Sequence, residues 1–270
     1  MSEPTVKIEK EGGILWVTLN RPEALNTMNT ALVDELHTCF GSLPGRDDIR
    51  VVILRGSGRA FCAGLDLKEA GSRQSTAATQ GPDPSAGLRG QQRFSRLAIL
   101  MRRAPQPIIA CIHGPTCGGG FSLALASDVR IAGESVKMNA AFIRIGLSAC
   151  DIGTSYFLPR LVGSSLASEL LLTGRFIHAE RALATGLVSQ VVPDEQLEQE
   201  ARALATEMLE TSPLGLRLTK DCINASLDGA TLEQMIAMED RTQTLCASSP
   251  DMAEGVRAFF EKRPPRYNNA

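Results

Sequence analysis

The sequence is poor in the features that mark membrane and nucleic-acid-binding proteins. No run approaches the roughly 20 uninterrupted apolar residues that a membrane helix needs. Lys and Arg number 28 against 30 Asp and Glu, and the net charge of -2 predicts no general attraction to nucleic acid. We therefore expect neither a membrane nor a nucleic acid as a partner. A small anionic ligand stays possible, because a few basic side chains at one pocket are enough to bind it.

Cysteine and histidine give no sign of a metal site. The seven cysteines contain no C-x-x-C pair, and their odd number argues against a disulfide framework, so we expect reduced and mostly buried thiols. The three histidines are scattered along the chain, and we expect no metal ligands among them. Residues 1–10 lack the apolar stretch of a signal peptide and the Arg-rich pattern of a transit helix, which predicts a cytoplasmic location.

The composition that is present suits one large folded domain. Of the 270 residues, 43% are hydrophobic and 21% are charged, which excludes a disordered chain. Apolar runs predict strands at residues 5–10, 14–19, 51–54, 108–112 and 128–132. Helical spacing predicts helices between these strands, at residues 30–40, 94–101 and 121–126. This alternation predicts an α/β fold.

Two regions depart from the alternating pattern. Residues 71–90 are rich in small and polar residues and carry no periodicity, which predicts a mobile loop of the kind that covers a pocket. From Leu197 onward, only helical spacing is found. We therefore expect a core of residues 1–195 and a C-terminal helical region of residues 196–270. The second is small for an independent domain and is expected to pack on the core or on a neighbouring subunit.

Two glycine-rich turns follow predicted buried strands and are candidates for a binding site. Residues 59–67 read Arg-Ala-Phe-Cys-Ala-Gly-Leu-Asp-Leu, and residues 113–120 read His-Gly-Pro-Thr-Cys-Gly-Gly-Gly. Small residues let a ligand approach the backbone, and the second turn runs into a helix whose free N–H groups favour negative charge. Two N–H groups from separate loops are what an oxyanion hole requires. Tight packing of a helix on a strand is the alternative explanation of the glycines.

The two turns together resemble those of the crotonase (enoyl-CoA hydratase/isomerase) superfamily. Residues 59–69 are similar to its A-G-x-D loop, and residues 113–124 are similar to its glycine-rich helix start. The resemblance spans nearly the whole chain, from Leu-Asn-Arg-Pro at residues 19–22 to Glu-Lys-Arg at residues 261–263. It implies an α/β fold in which a spiral of ββα units carries a C-terminal helical region. It also implies assembly as a homotrimer or homohexamer.

The same resemblance implies an acyl-CoA thioester as the ligand, with coenzyme A as part of the substrate and no separate cofactor. The N–H groups of Ala63 and Gly119 are then expected to bind the thioester oxygen and stabilise its enolate. The other expected substrate contacts are Gly64, Leu65, Asp66, Leu67, Gly118 and Lys262. For Asp66 the alternative is a cap of the following turn. Lys68 and Arg263 are further candidates for the phosphates, with a solvated surface charge as the alternative for each of these basic residues.

The acid and base residues depart from the family pattern. Family hydratases carry glutamates where this chain has Ser122 and Phe142, and hydration needs one group to activate water and another to protonate carbon. Asp151 is the acidic residue in the same region, and several family isomerases carry an aspartate one position earlier in this loop. One carboxylate is enough to move a double bond, because it can return the proton that it removes. The alternative for Asp151 is an N-cap of a helix that begins at residues 153–154.

These residues favour double-bond isomerisation of an unsaturated acyl-CoA, with Asp151 as the catalytic base. Hydration of a 2-enoyl-CoA, the reaction that the family name suggests, is one alternative. A non-catalytic acyl-CoA-binding protein that kept the fold and lost its acids is the other.

Overall fold

The computed structural model describes residues 3–71 and 83–267, which form two β-sheets and the helices around them. The strands are β1 (Val6–Glu11), β2 (Ile14–Leu19), β3 (Val51–Gly56), β4 (Ile108–Ile112), β5 (Pro115–Cys117), β6 (Val129–Gly133), β7 (Lys137–Asn139), β8 (Ile177–His178) and β9 (Gln190–Val192). The helices are α1 (Thr30–Ser42), α2 (Pro84–Arg103), α3 (Gly119–Ala126), α4 (Thr154–Thr173), α5 (Ala179–Ala184), α6 (Leu197–Leu209), α7 (Pro213–Leu227), α8 (Leu232–Ala247) and α9 (Pro250–Glu261).

The larger sheet has the strand order β1-β2-β3-β4-β6-β9, and the smaller sheet has the order β5-β7-β8. β1 and β2 form an antiparallel hairpin, and the larger sheet is parallel from β2 to β9. Parallel strands that are covered on both faces are continuous apolar runs, and the first four residues of β3 are all buried. Their side chains alternate between two cores, with Val52 and Leu54 in one and Val51 and Ile53 in the other.

α6 covers one face of the larger sheet. Its buried residues Leu197, Ala201 and Ala205 lie about one turn apart and share a core with Trp16 of β2. The helix falls within the region expected as C-terminal, residues 196–270, and it packs directly on the sheet. α7, α8 and α9 follow it, and α8 has no buried residue.

The predicted alternation of strands and helices is confirmed. The strands predicted at residues 14–19 and 108–112 are found residue for residue. The other three predicted strands are displaced or extended by one or two residues. In the described part of the chain after β9, helices follow one another as predicted. None of the helices in the described ranges is long and apolar enough to cross a membrane.

The loop predicted at residues 71–90 is wrong from residue 84 onward, where α2 begins. Asp83 caps this helix, because its Oδ1 accepts a hydrogen bond from Ser85 N at 2.9 Å. Pro84 stands at the first helical position, where its missing N–H costs nothing. Residues 72–82 of the predicted loop lie outside the described residues.

Candidate active site

The two glycine-rich turns lie against each other at one edge of the larger sheet. β3 and β4 are parallel neighbours, so the segments that follow them leave the sheet at the same edge. Cys117 N donates to Cys62 O at 2.9 Å, and Cys62 N donates to Pro115 O at 3.2 Å. A Cβ atom on Gly64 would lie 2.9 Å from Cys117 O, which is why the approach requires glycine. The turns therefore form one continuous backbone surface.

The N–H group of Ala63, expected from the resemblance to bind the thioester oxygen, is used within the fold. It donates to Leu25 O at 2.9 Å. A ligand would have to replace this bond in order to reach the Ala63 N–H. The role of Ala63 as an oxyanion donor remains a prediction.

The N–H group of Leu65, two residues further along the same turn, is not used within the described fold. The backbone of the turn pairs with Met28 as a short parallel bridge, in which Met28 N donates to Gly64 O at 2.7 Å and Asp66 N donates to Met28 O at 3.1 Å. Successive groups on an extended chain point to opposite sides, so the Leu65 N–H points away from Met28. It makes no hydrogen bond with any part of the chain that the structure describes.

The second donor lies where α3 begins. Within residues 3–71 and 83–267, Gly119 N–H has no hydrogen-bond acceptor, as expected for the first turn of a helix, whereas Gly118 N donates to Asn139 O at 2.9 Å. A Cβ atom on Gly119 would lie 2.6 Å from Met28 Sδ. Because the backbone of Met28 pairs beside Leu65 and its side chain reaches Gly119, the two free N–H groups lie in one neighbourhood.

Asp66 caps the helical residues 67–71, as one of the two sequence interpretations predicted. Its Oδ1 accepts hydrogen bonds from Lys68 N at 3.2 Å and Glu69 N at 3.3 Å, and its Oδ2 pairs with Arg21 Nη2 at 2.9 Å. Burial by itself raises the pKa of Asp66, but the Arg21 guanidinium and the backbone donors hold that pKa below its usual value. The Asp66 carboxylate thus fixes the end of the first glycine-rich turn.

The basic residues near the C-terminus lie at the end of α9. Lys262 ends α9 in the left-handed conformation, with φ of 54°. Arg263 pairs with Glu254 at 2.6 Å and with Glu261 at 2.6 Å. Within the described residues, no hydrogen bond or ion pair links Lys262 to the glycine-rich turns. Its expected contact with the substrate remains a prediction.

Ser122 and Phe142, at the positions of the two family glutamates, pack into the surrounding structure. The fully buried Ser122 places its Oγ 2.8 Å from Thr154 Oγ1 and donates to Asp151 O at 3.3 Å. Phe142 is also buried, and its ring comes within 3.5 Å of where a Cβ atom on Gly118 would lie. Neither side chain is free to activate water.

Asp151 is not the helix cap that the alternative interpretation predicted. α4 begins at Thr154 and its N-cap is Gly153, with no side-chain cap. The backbone carbonyl of Asp151, not its carboxyl group, accepts from Thr154 N at 2.9 Å. The carboxyl Oδ1 accepts from Ile152 N at 2.7 Å and from Gln91 Nε2 at 2.5 Å. Nothing in the sequence alone singles out Gln91.

A reversal of the chain brings Asp151 close to the start of α3. Ile152 and Gly153 both adopt positive φ angles, 48° and 82°. This conformation is unusual for the β-branched Ile152 and costs about 1–2 kcal/mol. Ile152 Cδ1 lies 3.6 Å from where a Cβ atom on Gly119 would be, so the residue after Asp151 packs over the expected oxyanion donor.

Comparisons with known proteins identify the family of the chain. A family described as enoyl-CoA hydratase/isomerase matches residues 9–270. A probable enoyl-CoA hydratase, echA12, of Mycobacterium bovis is 39% identical over 257 residues, 95% of this chain and 90% of that protein. The 1,2-epoxyphenylacetyl-CoA isomerase of Escherichia coli is 37% identical over 257 residues, 95% of each chain. The crystal structure of an enoyl-CoA hydratase from Bacillus anthracis has a TM-score of 0.90 at 32% identity, covering 98% of this chain and all, 100%, of the other.

The fold and the paired turns define a protein of the crotonase class, with the α/β architecture and C-terminal helices that the sequence predicted. The chain belongs to the enoyl-CoA hydratase/isomerase family. Both hydratases and an isomerase are among its relatives, so family membership alone leaves the reaction open.

Proposed function

We propose that the protein isomerises a double bond in an unsaturated acyl-CoA. The observation that carries this proposal is the half-buried Asp151, whose backbone carbonyl contacts Ser122 of α3, together with Ser122 and Phe142 in the glutamate positions of family hydratases. We assign the oxyanion donors to the N–H groups of Leu65 and Gly119, since the Ala63 N–H is used within the fold.

The proposed reaction needs only these groups. Leu65 N–H and Gly119 N–H donate to the thioester oxygen, and they stabilise the negative charge that develops there as the enolate forms. Asp151 removes a proton from the acyl chain and the electron pair passes into the enolate. The protonated Asp151 then returns the proton to a different carbon, which moves the double bond and restores the carboxylate.

The environment of Asp151 suits a base. Burial raises the pKa of its carboxyl group, and the hydrogen bonds from Ile152 N–H and the Gln91 amide offset part of that rise. A carboxyl group with a raised pKa is a stronger base than a solvated one, so it accepts a proton from carbon more readily. Asp151 is therefore a strong base for a carboxyl group, and we place it beside the expected enolate.

Two other activities are tested by the same experiment. Hydration of a 2-enoyl-CoA is favoured by the names of several relatives, and it would require a second acid or base besides Asp151. Binding of acyl-CoA without turnover is favoured by the loss of both family glutamates. Product analysis separates the three, because only isomerisation moves the double bond without adding water.

The experiment incubates 2-enoyl-, 3-enoyl- and 3,5-dienoyl-CoA with the protein in deuterated water and follows the products by NMR and mass spectrometry. We expect double-bond migration in the parent protein and a loss of at least about a hundredfold in Asp151→Asn, the size typical of a general base. Asp221→Asn is the matched control, because burial also raises the pKa of that carboxyl group, on α7. Addition of water would support the hydratase, and unchanged thioesters that bind would support the binding protein.

We also propose that copies of the chain assemble as a homotrimer or homohexamer through the C-terminal helices. α8 has no buried residue, and α9 exposes large apolar side chains, including Phe259 and Phe260. Contiguous apolar surface of this kind is characteristic of protein interfaces.

A further inference from the structure

We infer that Gln91 is a positioning residue for Asp151: it holds Oδ1 of the carboxyl group so that Oδ2 is the atom that takes the proton. This inference rests on the proposed function. Gln91 Nε2 donates to Asp151 Oδ1 at 2.5 Å, and Ile152 N donates to the same oxygen at 2.7 Å. Asp151 Oδ2 has no hydrogen-bond partner in the described ranges.

The position of Gln91 is set by the packing of α2. Ala98, seven residues along the helix and therefore on the same face, is buried in the main core. Its Cβ atom lies 3.7 Å from where a Cβ atom on Gly153 would be. This contact packs α2 against the turn that contains Asp151. The Gln91 amide therefore extends from a packed helix and not from a loop.

Two donors on one oxygen make the carboxyl group asymmetric. A donor that approaches a carboxylate stabilises its charged form, so the Gln91 amide and the Ile152 N–H both oppose the effect of burial on the pKa of Asp151. They also restrict rotation of the carboxyl group. The unbonded oxygen keeps its lone pairs available, which is what a general base requires at the moment of proton removal.

Charged groups on the neighbouring elements do not account for the state of Asp151. Burial, Ile152 N–H and the Gln91 amide are the resolved influences on its pKa. Other titratable groups on the elements packed around it are Arg89, Arg93, Arg96, Arg102 and Arg103 on α2, Arg144 and Cys150 before the turn, and Tyr156, Arg160 and Glu169 on α4. Arg93 is paired with Asp34, and Tyr156 is hydrogen-bonded to Asp228. Gln91 is therefore the side chain whose removal should change the titration of Asp151.

The test compares Gln91→Leu with Gln92→Leu, a neighbouring exposed glutamine whose side chain has no hydrogen bond in the described ranges. The carboxyl titration of Asp151 is followed by NMR in protein labelled with ¹³C at aspartate carboxyl groups, and the Asp151→Asn spectrum assigns the signal. We expect Gln91→Leu to raise the pKa of Asp151 and Gln92→Leu to leave it unchanged. This readout requires no turnover.

Kinetics supply the second readout. We expect Gln91→Leu to lower kcat roughly tenfold with little change in KM, because the loss of a fixed carboxyl orientation outweighs the gain in basicity. The raised pKa of Asp151 should also move the acid limb of the pH profile upward. Gln91→Glu keeps the size of the side chain and places a second carboxyl group beside Asp151, so its upward shift should be larger.

The outcomes separate this inference from the proposed function. A parent-like titration and parent-like kinetics in both Gln91 variants would overturn the positioning role, while Asp151→Asn could still be inactive. Full isomerase activity in Asp151→Asn would instead overturn the proposed base. If Gln91→Leu fails to fold, as judged by circular dichroism, Gln91→Glu carries the test alone.

Discussion

At the scale of single residues, the carboxyl group of Asp151 combines burial with an incomplete set of hydrogen bonds. Its raised pKa means that the folded state binds this proton more tightly than the unfolded state does. The stabilising contribution of Asp151 is thus fully present below the unfolded pKa of about 3.9 and is lost as the pH rises through the folded value. The ionised carboxyl group of Asp151 therefore weakens the fold at neutral pH relative to the protonated one.

Asp151→Asn should accordingly be more stable than the parent protein at pH 7.5, because it removes a partly buried charge. The difference should shrink as the pH falls towards 4, about the unfolded pKa of aspartate, where the parent carboxyl group is protonated as well. Urea unfolding at both pH values measures the free energies of unfolding. The same difference at both pH values would contradict the raised pKa.

The sequence predicts that the two turns meet, but it does not show which N–H groups of the first turn are used within the fold. Ala63 and Leu65 are indistinguishable by pattern, since what separates them is a hydrogen bond from Ala63 N to Leu25 O. Leu25 is distant in the sequence and is brought there by the fold. Gln91 is not predictable from the sequence for the same reason. Its contact with Asp151 joins two segments that only the tertiary structure brings together.

At the scale of elements, strands and helices were largely predictable because their periodicity reflects burial on one or two faces. The exception is the start of α2, because the composition predicts a loop where residues 84–90 are helical. The cap at Asp83 followed by Pro84 is a helix-start signal, and the small polar composition of residues 71–90 outweighed it. Composition describes solvent exposure, whereas a cap specifies where backbone N–H groups find acceptors.

The junction between the two turns supplies a prediction at this scale. A Cβ atom on Gly120 would lie 2.6 Å from Cys62 Cβ, so Gly120→Ala should force the start of α3 away from the other turn. We expect little folded protein by circular dichroism. Gly41 in α1 is the matched control, because a Cβ atom there meets nothing within 4 Å and Gly41→Ala should stabilise the helix by about 1 kcal/mol. Normal folding of Gly120→Ala would contradict this close packing.

At the scale of the whole molecule, the C-terminal helices present more apolar surface than one chain covers. Phe259 and Phe260 are 78% and 77% exposed, and Leu232 of α8 is 72% exposed. Apolar area removed from water contributes roughly 25 cal/mol per Å², so covering these rings in an assembly would be favourable. The proposed oligomer accounts for them.

Replacing both phenylalanines with aspartate, as Phe259→Asp and Phe260→Asp together, should therefore shift the protein from a trimer or hexamer towards the monomer. Sedimentation velocity measures the change. The control is Ile8→Asp on β1, where an exposed apolar residue is replaced by one aspartate away from the C-terminal helices. A parent protein that sediments as a monomer would contradict the proposed assembly.

The hydroxyl group of Ser122 links a position at which family members differ to the backbone near Asp151. The Ser122 hydroxyl group bonds Thr154 and the backbone carbonyl of Asp151. At the position where a family hydratase carries one acid, this chain therefore carries a side chain that supports the backbone of a different acid, Asp151. A glutamate at position 122 would replace a buried hydroxyl that bonds both Thr154 and the Asp151 carbonyl, and both bonds would be lost. A change of residue at position 122 is therefore coupled to the backbone conformation around Asp151.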